Sequence, residues 1–449
     1  MIKRIEQMKI SQNLFVIPDD KLCILYEPLE HSALLVNKSA VKALQHFKNG
    51  NHHYIKNNKS FMNELIAAGV LVRNDNLENK ISFPQQKGEC DPPGITLFLT
   101  TGCSMRCIYC YSNGGDNPKI MSEKTAKASI KWIIEHISNK GEKELYINFH
   151  GGGELITSFD LFKYCVQYIR KKSKEYGLTT RIDLGLNGVM NTQQVDWIVE
   201  NTDGATISLD GITDIQNLQR PLIGNKNSFE IVKKTLKRMD KKNFNYAIRS
   251  TVTSKSIDKL VDSVDFMCKN FKAKNIQIEP VFIAGRALNN KLSLIDSHAF
   301  IEKYRESSKM AQEYEKNLKY SGARLNTLTN CFCKATTGNS IAITPDNHIT
   351  SCYEVGDTND PRASLFIIGK FDIKTGNLVF NKKRIQQLRS LTVENKEFCS
   401  NCFCKWHCAG DCPAKIAFLG DAWNTSSNPR CIINRELTKD QIKSELIES

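Results

Sequence analysis

The chain has 449 residues, with 62 Lys and Arg against 48 Asp and Glu and a formal charge of +14, so it has room for about three domains and favours anionic partners. Its first residues, MIKRIEQMKI, lack an apolar core, and no run of about eighteen apolar residues follows, so neither a signal peptide nor a membrane span is expected and the expected location is the cytoplasm. Sixteen cysteines in a chain this long speak against a small secreted disulfide scaffold and for metal ligation. The basic charge is diffuse, with no run of five basic residues, so a solvated surface explains it better than nucleic-acid binding does.

Residues 1–88 read as strands around Leu14 to Ile17 and Leu22 to Tyr26, helices around Ser39 to Phe47 and Ser60 to Ala68, a closing Gly69 and a short strand at Val70 to Val72. This layout resembles the winged-helix recognition domain of enzymes that modify ribosomally made peptides, where a leader peptide adds as a strand beside the small sheet. A winged helix serves equally as a DNA reader or as a cap on the next domain. The polar stretch from Asn74 to Pro93, with Pro84, Pro92 and Pro93, reads as a linker.

After a strand over Ile95 to Thr100, the loop to Ser112 places Cys103, Cys107 and Cys110 within eight residues. Thiolates ligate zinc and iron-sulfur clusters, and three sulfurs instead of four leave one coordination position open for chemistry. The C-x3-C-x2-C spacing, with Tyr109 before the last cysteine, resembles the cluster loop of radical SAM enzymes. The resemblance implies a four-iron four-sulfur cluster on Cys103, Cys107 and Cys110, with S-adenosylmethionine (SAM) on the fourth iron and Tyr109 beside it. Reductive cleavage of SAM would then give a 5'-deoxyadenosyl radical that abstracts a substrate hydrogen. Half of a zinc site, completed from a distance, is the competing account of the loop.

Further strands are expected at Glu144 to Phe149, Arg181 to Leu186, Ala205 to Leu209, Tyr246 to Val252 and Ile276 to Val281. Helical patterns separate them at Glu123 to Ser138, Phe159 to Tyr176, Phe229 to Met239 and Ile257 to Phe271, and Cys165 and Cys268 fall inside these as small core residues. Repeated βα units argue a parallel sheet covered by helices, and residues 89–320 fit the partial (β/α)6 TIM-like barrel that the resemblance implies, with sites at strand C-terminal ends. Past the second strand, His150-Gly151-Gly152-Gly153-Glu154 matches the family's Gly-Gly-Glu-Pro loop except that Leu155 replaces the proline. By resemblance Gly152, Gly153 and Glu154 hold the SAM amino group, Asn187 lies near its ribose, and Ser208, Asp210 and Arg220 complete its site. Arg suits a carboxylate because the guanidinium fork binds bidentately; Arg286 is a weaker candidate of the same kind, and His150 would face the site. A charged helix over Phe300 to Lys319, with no strand after it, ends the barrel.

Residues 321–449 hold nine more cysteines. Ser340 to Cys352 reads as a hairpin turning at Pro345, Asp346 and Asn347, and Cys399-x2-Cys402-x5-Cys408-x3-Cys412 and Cys431 follow. This spacing is similar to the SPASM extension, which implies two auxiliary four-iron clusters, one on Cys331, Cys333, Cys352 and Cys412 and one on Cys399, Cys402, Cys408 and Cys431, with Cys404 spare. His348 and His407 read as hairpin or supporting residues.

The fold class expected is therefore α/β, a partial barrel between a winged-helix-like domain and a cysteine-rich SPASM domain. The function the resemblance implies is a radical SAM peptide maturase with three four-iron clusters, which takes electrons from a flavodoxin or ferredoxin type donor and installs a thioether or carbon-carbon crosslink in a precursor peptide carrying a leader. A sulfatase-maturing enzyme is the alternative within this class; there an Asp directly follows the cysteine aligned with Cys352, where this chain has Tyr353 and Glu354. From another class, a zinc-bearing nucleic-acid-binding protein stays open.

Overall fold

The computed structural model describes residues 7–74, 82–84, 87–424, 426 and 428–448, and opens with strands β1 (Met8–Ile10), β2 (Phe15–Asp19), β3 (Leu22–Glu27) and β4 (Ser32–Asn37). Helices at Lys38–Lys48, His53–Asn57 and Lys59–Ala67 lead to β5 (Leu71–Arg73), which pairs with β1, while β2, β3 and β4 form an antiparallel meander. Strand alternation decides the packing. Cys23, Leu25 and Val36 face the helices with Leu44, Phe47 and Leu65, whereas Ile17, Ile24, Tyr26 and Ala33 face away and bury against Leu325, Phe403, Cys404, Cys408 and Ile442. Each fully buried side chain of this kind contributes about 2 kcal/mol. Strand β4 sends Ala33 to one face and Val36 to the other, which blurs the two-residue period and hides the strand in the sequence.

Residues 75–81 and 85–86 of the expected linker lie outside the described residues. Its far end is tied down: Cys90 Sγ donates to Gly338 O (2.8 Å), Asp91 pairs with His136 and Lys140 (2.9 and 2.8 Å), and Arg389 donates to Gly88 O and Glu89 O (2.7 and 3.2 Å).

Strands β6 (Gly94–Leu97), β7 (Glu144–Phe149), β8 (Thr179–Leu186), β9 (Gly204–Ser208), β10 (Tyr246–Val252) and β11 (Asn275–Pro280) run parallel in that spatial order, as the βα repeat predicts. Leu145, Ile147 and Phe149 of β7 and Ile182, Leu184 and Leu186 of β8 join the helices in one core. The helix Glu123–Asn139 starts at Ser122, whose side chain accepts from Thr125 N, and buries Ala126, Ile130, Ile133, Ile134 and Ile137 as one stripe. Unforeseen helices at Thr192–Asn201, opened by an Asn191/Gln194 capping box, and Thr213–Gln219 complete the repeat. Cys165 and Cys268 are buried core residues, as expected.

Both sheet edges differ from expectation. The helix expected to reach Lys319 spans Ser297–Glu313; Glu315 then turns at φ 54° and β12 (Asn317–Lys319) adds parallel to β11. At the other edge, β13 (Ala342–Ile343) and β14 (His348–Thr350) turn at Asn347 (φ 64°), and β13 lies parallel to β6. The N–H groups of Thr96 and Phe98 donate to Ile341 O and Ile343 O, both at 3.0 Å. Strands β15 (Ile367–Asp372) and β16 (Asn377–Phe380), also unforeseen, extend one continuous eleven-stranded sheet. No described helix is long and apolar enough to cross a membrane.

Candidate active site

The cysteine loop after β6 is laced to the loops that follow three other strands. Glu154 N donates to Gly102 O (2.7 Å), Arg106 N to Pro221 O (2.7 Å), Ile108 N to Gln219 O (2.9 Å) and Arg286 N to Cys110 O (2.9 Å). The Arg286 guanidinium is spent on this loop, donating to Cys107 O (3.2 Å), Gly114 O (2.6 Å) and Asp116 Oδ1 (2.9 Å), so it braces the thiols and is no free carboxylate binder. Cys103, Cys107 and Cys110 lie within electrostatic reach of one another; burial raises the Cys103 and Cys107 thiols, the latter to about 12. Gly114 N and Ser112 Oγ sit 3.4 Å from Cys110 Sγ, and Asn187 Nδ2 sits 3.8 Å from Cys103 Sγ. Asn187 also reaches Ser104 Oγ (3.2 Å), which ties it to the cysteine loop.

Glu154 is 3% exposed, and its Oε2 accepts from Asn187 N at 2.6 Å. Burial lifts its pKa to about 7, and among the described residues no cation pairs with it within 4 Å. Arg220, within electrostatic reach of Glu154, is 7% exposed; its Nη1 donates to Tyr109 OH (2.8 Å), which donates to Asp210 Oδ2 (2.6 Å). Asp210 also accepts from Gln219 Nε2 (2.8 Å) and Thr251 N (3.0 Å), so Tyr109 and Asp210 are occupied in orienting Arg220. Arg220 Nε is buried without a partner. A lone buried carboxylate and a half-satisfied guanidinium beside three thiols fit an amino-acid head group that bears both an ammonium and a carboxylate. Ser208 ends β9, half-buried, in register with Arg249. His150 packs edge-to-face on Tyr353 (5.3 Å between ring centres), and burial beside Arg249 lowers its pKa to about 4, so it is neutral.

The nine C-terminal thiols fall into two neighbourhoods. Cys333, Cys352 and Cys412 are mutually close, with Cys331 on the margin beside Cys333, and Cys431 lies near Cys399, Cys402 and Cys408. Cys404, which the spacing leaves spare, lies 3.4 Å from Cys402 Sγ and bonds Cys408; that contact lowers Cys402 to about 6. Among the described residues no three Cys, His, Asp or Glu side chains already stand in metal-ligand geometry. Binding iron at these thiols would release their protons. His407, 1% exposed, joins Tyr26 OH at 2.6 Å and so ties the small N-terminal sheet to this field.

The sequence pattern of the radical SAM superfamily matches residues 97–267. The chain carries a radical SAM domain. It is similar to the cysteine-type anaerobic sulfatase-maturating enzyme of Clostridium perfringens, 23% identical over 168 residues that cover 36% of this chain and 45% of that enzyme. The chain spans between 45% and 61% of the length of the curated relatives it matches. Among solved structures, anSMEcpe with bound AdoMet superposes with a TM-score of 0.61 at 16% identity, covering 80% of this chain and 94% of that one. SuiB of Streptococcus suis bound to precursor peptide SuiA superposes at 0.54 and 13% identity, covering 94% and 99%. These similarities show the fold.

Within the radical SAM domain the close approach of two loops depends on Gly153, where a Cβ would lie 2.1 Å from Gly102 O. Gly153→Ala is expected to weaken SAM binding by about 5- to 150-fold, from about 1–3 kcal/mol of overpacking, and to reduce iron at the first site. Equilibrium dialysis and iron quantification check both. Two residues carry no motif in the sequence: Arg249, whose exposed side chain rises from β10 near His150, Tyr111 and Glu279, and the buried Lys396.

Proposed function

We propose that the chain is a radical SAM maturase that oxidises a ribosomally made precursor peptide and closes a thioether or carbon-carbon crosslink in it. The observation that carries this reading is that buried Glu154 and the Tyr109-Asp210-Arg220 relay lie within electrostatic reach of one another and of Cys103. When bound there, a four-iron cluster and SAM supply a one-electron cleavage that yields a carbon radical able to abstract a substrate hydrogen. Glu154 takes the SAM ammonium, Arg220 its carboxylate, and Gly152 and Gly153 let the backbone approach. Asn187 steadies Cys103, and Ser208 lines the wall.

Two auxiliary clusters, on Cys331, Cys333, Cys352 and Cys412 and on Cys399, Cys402, Cys408 and Cys431, would accept the electron released when the crosslink closes. Residues 1–88 would read a leader peptide, residues 89–320 carry the barrel and residues 321–449 the auxiliary field. A flavodoxin or ferredoxin type protein would supply electrons, in the cytoplasm.

Anaerobic incubation of iron-loaded protein with SAM and dithionite tests the reading, with 5'-deoxyadenosine as product. Its absence at full iron loading refutes the assignment. Glu154→Gln is expected to weaken SAM binding about 10- to 100-fold, the loss of one charge-assisted hydrogen bond of about 1.5–3 kcal/mol. A second reading, sulfatase maturation, takes support from the Clostridium perfringens relative. Against it, Cys352 is followed by Tyr353, whose hydroxyl accepts from Thr96 Oγ1 (3.1 Å), and by Glu354, which pairs with Arg362 (3.2 Å), so no free carboxylate adjoins that cysteine.

A further inference from the structure

Lys396 is 2% exposed, and among the described residues its ammonium meets two carbonyls, Ala422 O at 3.0 Å and Gly410 O at 3.3 Å. Among the described residues no carboxylate pairs with it within 4.0 Å. A buried cation without a counter-charge is strongly unfavourable, so a place built for one implies an anion that arrives with something else.

The place is built. Gly410 lies midway along the Cys408 to Cys412 connection, whose two cysteines belong to different thiol neighbourhoods. Three successive residues there take left-handed backbone, Ala409 at φ 49°, Gly410 at 72° and Asp411 at 61°, a conformation that costs the non-glycine residues energy. The bend makes room for the lysine stem: a Cβ on Gly410 would lie 2.5 Å from Lys396 Cδ. From the other side, Cys399 N donates to Lys396 O at 2.9 Å.

The nearby carboxylates have closer cationic partners than Lys396, although Asp411 Oδ1 is itself without a hydrogen-bond partner among the described residues. Asp411 accepts from Arg430 Nε (3.0 Å) and Asn428 Nδ2 (2.6 Å), and Glu279 pairs with Arg430 (3.1 Å), with Lys415 near both acids. Asp411 lies within electrostatic reach of Lys396, but its bonds go to Arg430 and Asn428, so Lys396 has no carboxylate of its own among the described residues. Burial lowers its pKa, and Cys399, the Asp411 carboxylate, Cys408 and Cys412 oppose that.

We propose that Lys396 is a positioning residue for charge: its ammonium, held at the junction of the two auxiliary sites, is the counter-ion of the anionic clusters bound there and raises their reduction potential. Net charge near a cluster is one of the main determinants of that potential. The inference rests on the proposed function, since it requires iron-sulfur clusters at both sites.

The test uses the full chain, reconstituted anaerobically with iron and sulfide, in a background in which Cys103, Cys107 and Cys110 are replaced by Ala so that only auxiliary signals remain. Iron is quantified in this parent first. Zinc or no metal there refutes the proposed function and this inference with it, before any lysine variant is made. Lys396→Met and Lys396→Arg are then compared by EPR-monitored redox titration and, after metal removal, by thermal melting. Lys396→Met is expected to shift the oxidised-to-reduced ratio at fixed potential at least tenfold toward oxidised, about 59 mV for one electron, with Lys396→Arg restoring the parent value. The metal-free Met variant is expected to melt higher than its parent, because it no longer buries a charge that lacks a carboxylate of its own. Unchanged midpoints at full iron content overturn the proposal; so does a lower metal-free melting temperature, a readout that does not depend on cluster loading.

Discussion

Replacing Cys103, Cys107 and Cys110 together by Ala is expected to reduce bound iron from about twelve atoms per chain to about eight and to abolish SAM cleavage, while the auxiliary absorption survives. The separation is a matter of geometry. The first thiol loop is held by backbone bonds to the loops carrying Glu154, Gln219, Pro221 and Arg286, none of which belongs to the C-terminal thiol neighbourhoods. Thiols pushed up by burial, such as Cys107 at about 12, are also neutral without metal, so the emptied loop holds no stranded charge and the barrel should stay folded. Anaerobic iron and sulfide quantification with an absorption spectrum reads the result. Loss of all iron in the variant would mean that the three sites load as one unit.

The largest stability effect is expected at Arg430, which is 6% exposed and joins Glu279 on β11 (3.1 Å) to Asp411 between the auxiliary cysteines (3.0 Å), with Nη2 donating to Ser321 Oγ (3.1 Å). Arg430→Met leaves two buried carboxylates without their cation and should cost about 3–5 kcal/mol, read from the midpoint of urea denaturation. The effect carries a pH signature. Burial alone would raise Glu279, but Arg430, Lys415 and Arg249 overcome it and hold the folded pKa at about 2, below the ordinary 4.5. A depressed carboxylate contributes stability that is fully present above about pH 4.5 and is lost as pH falls toward 2, on the order of 3 kcal/mol here. The deficit of Arg430→Met should therefore shrink in acid. A pH-independent deficit would assign the loss to packing against Tyr320 instead.

The sequence made the parallel barrel legible because β7 and β8 carry an unbroken alternation of large apolar residues, and the thiol loop because three cysteines at fixed spacing leave little other chemistry. What stayed hidden depends on contacts between distant segments. Strand β12 is three residues long and exists because Asn275, Ile276 and Gln277 offer a free edge. Arg286 follows a family-like Gly-Arg-Ala pattern, yet its partners are two carbonyls and the Asp116 carboxylate, about 170–180 residues earlier. Tyr109 and Asp210 were legible as site residues, but their task of orienting Arg220 is visible only when the arginine bonds the tyrosine at 2.8 Å and the tyrosine bonds the aspartate at 2.6 Å. Lys396 sits in an unremarkable polar stretch, and nothing local marks it as buried.

The seating of β13 on β6 has a consequence for how this protein comes apart. The first barrel strand has no exposed edge: its amides at Thr96 and Phe98 are capped by a segment about 250 residues later in the chain. Removing the C-terminal region would uncover a row of unpaired donors on an apolar strand, a ready template for intermolecular pairing. The barrel cut out alone is thus expected to aggregate, and in the intact chain both regions should lose hydrogen-exchange protection in a single cooperative step.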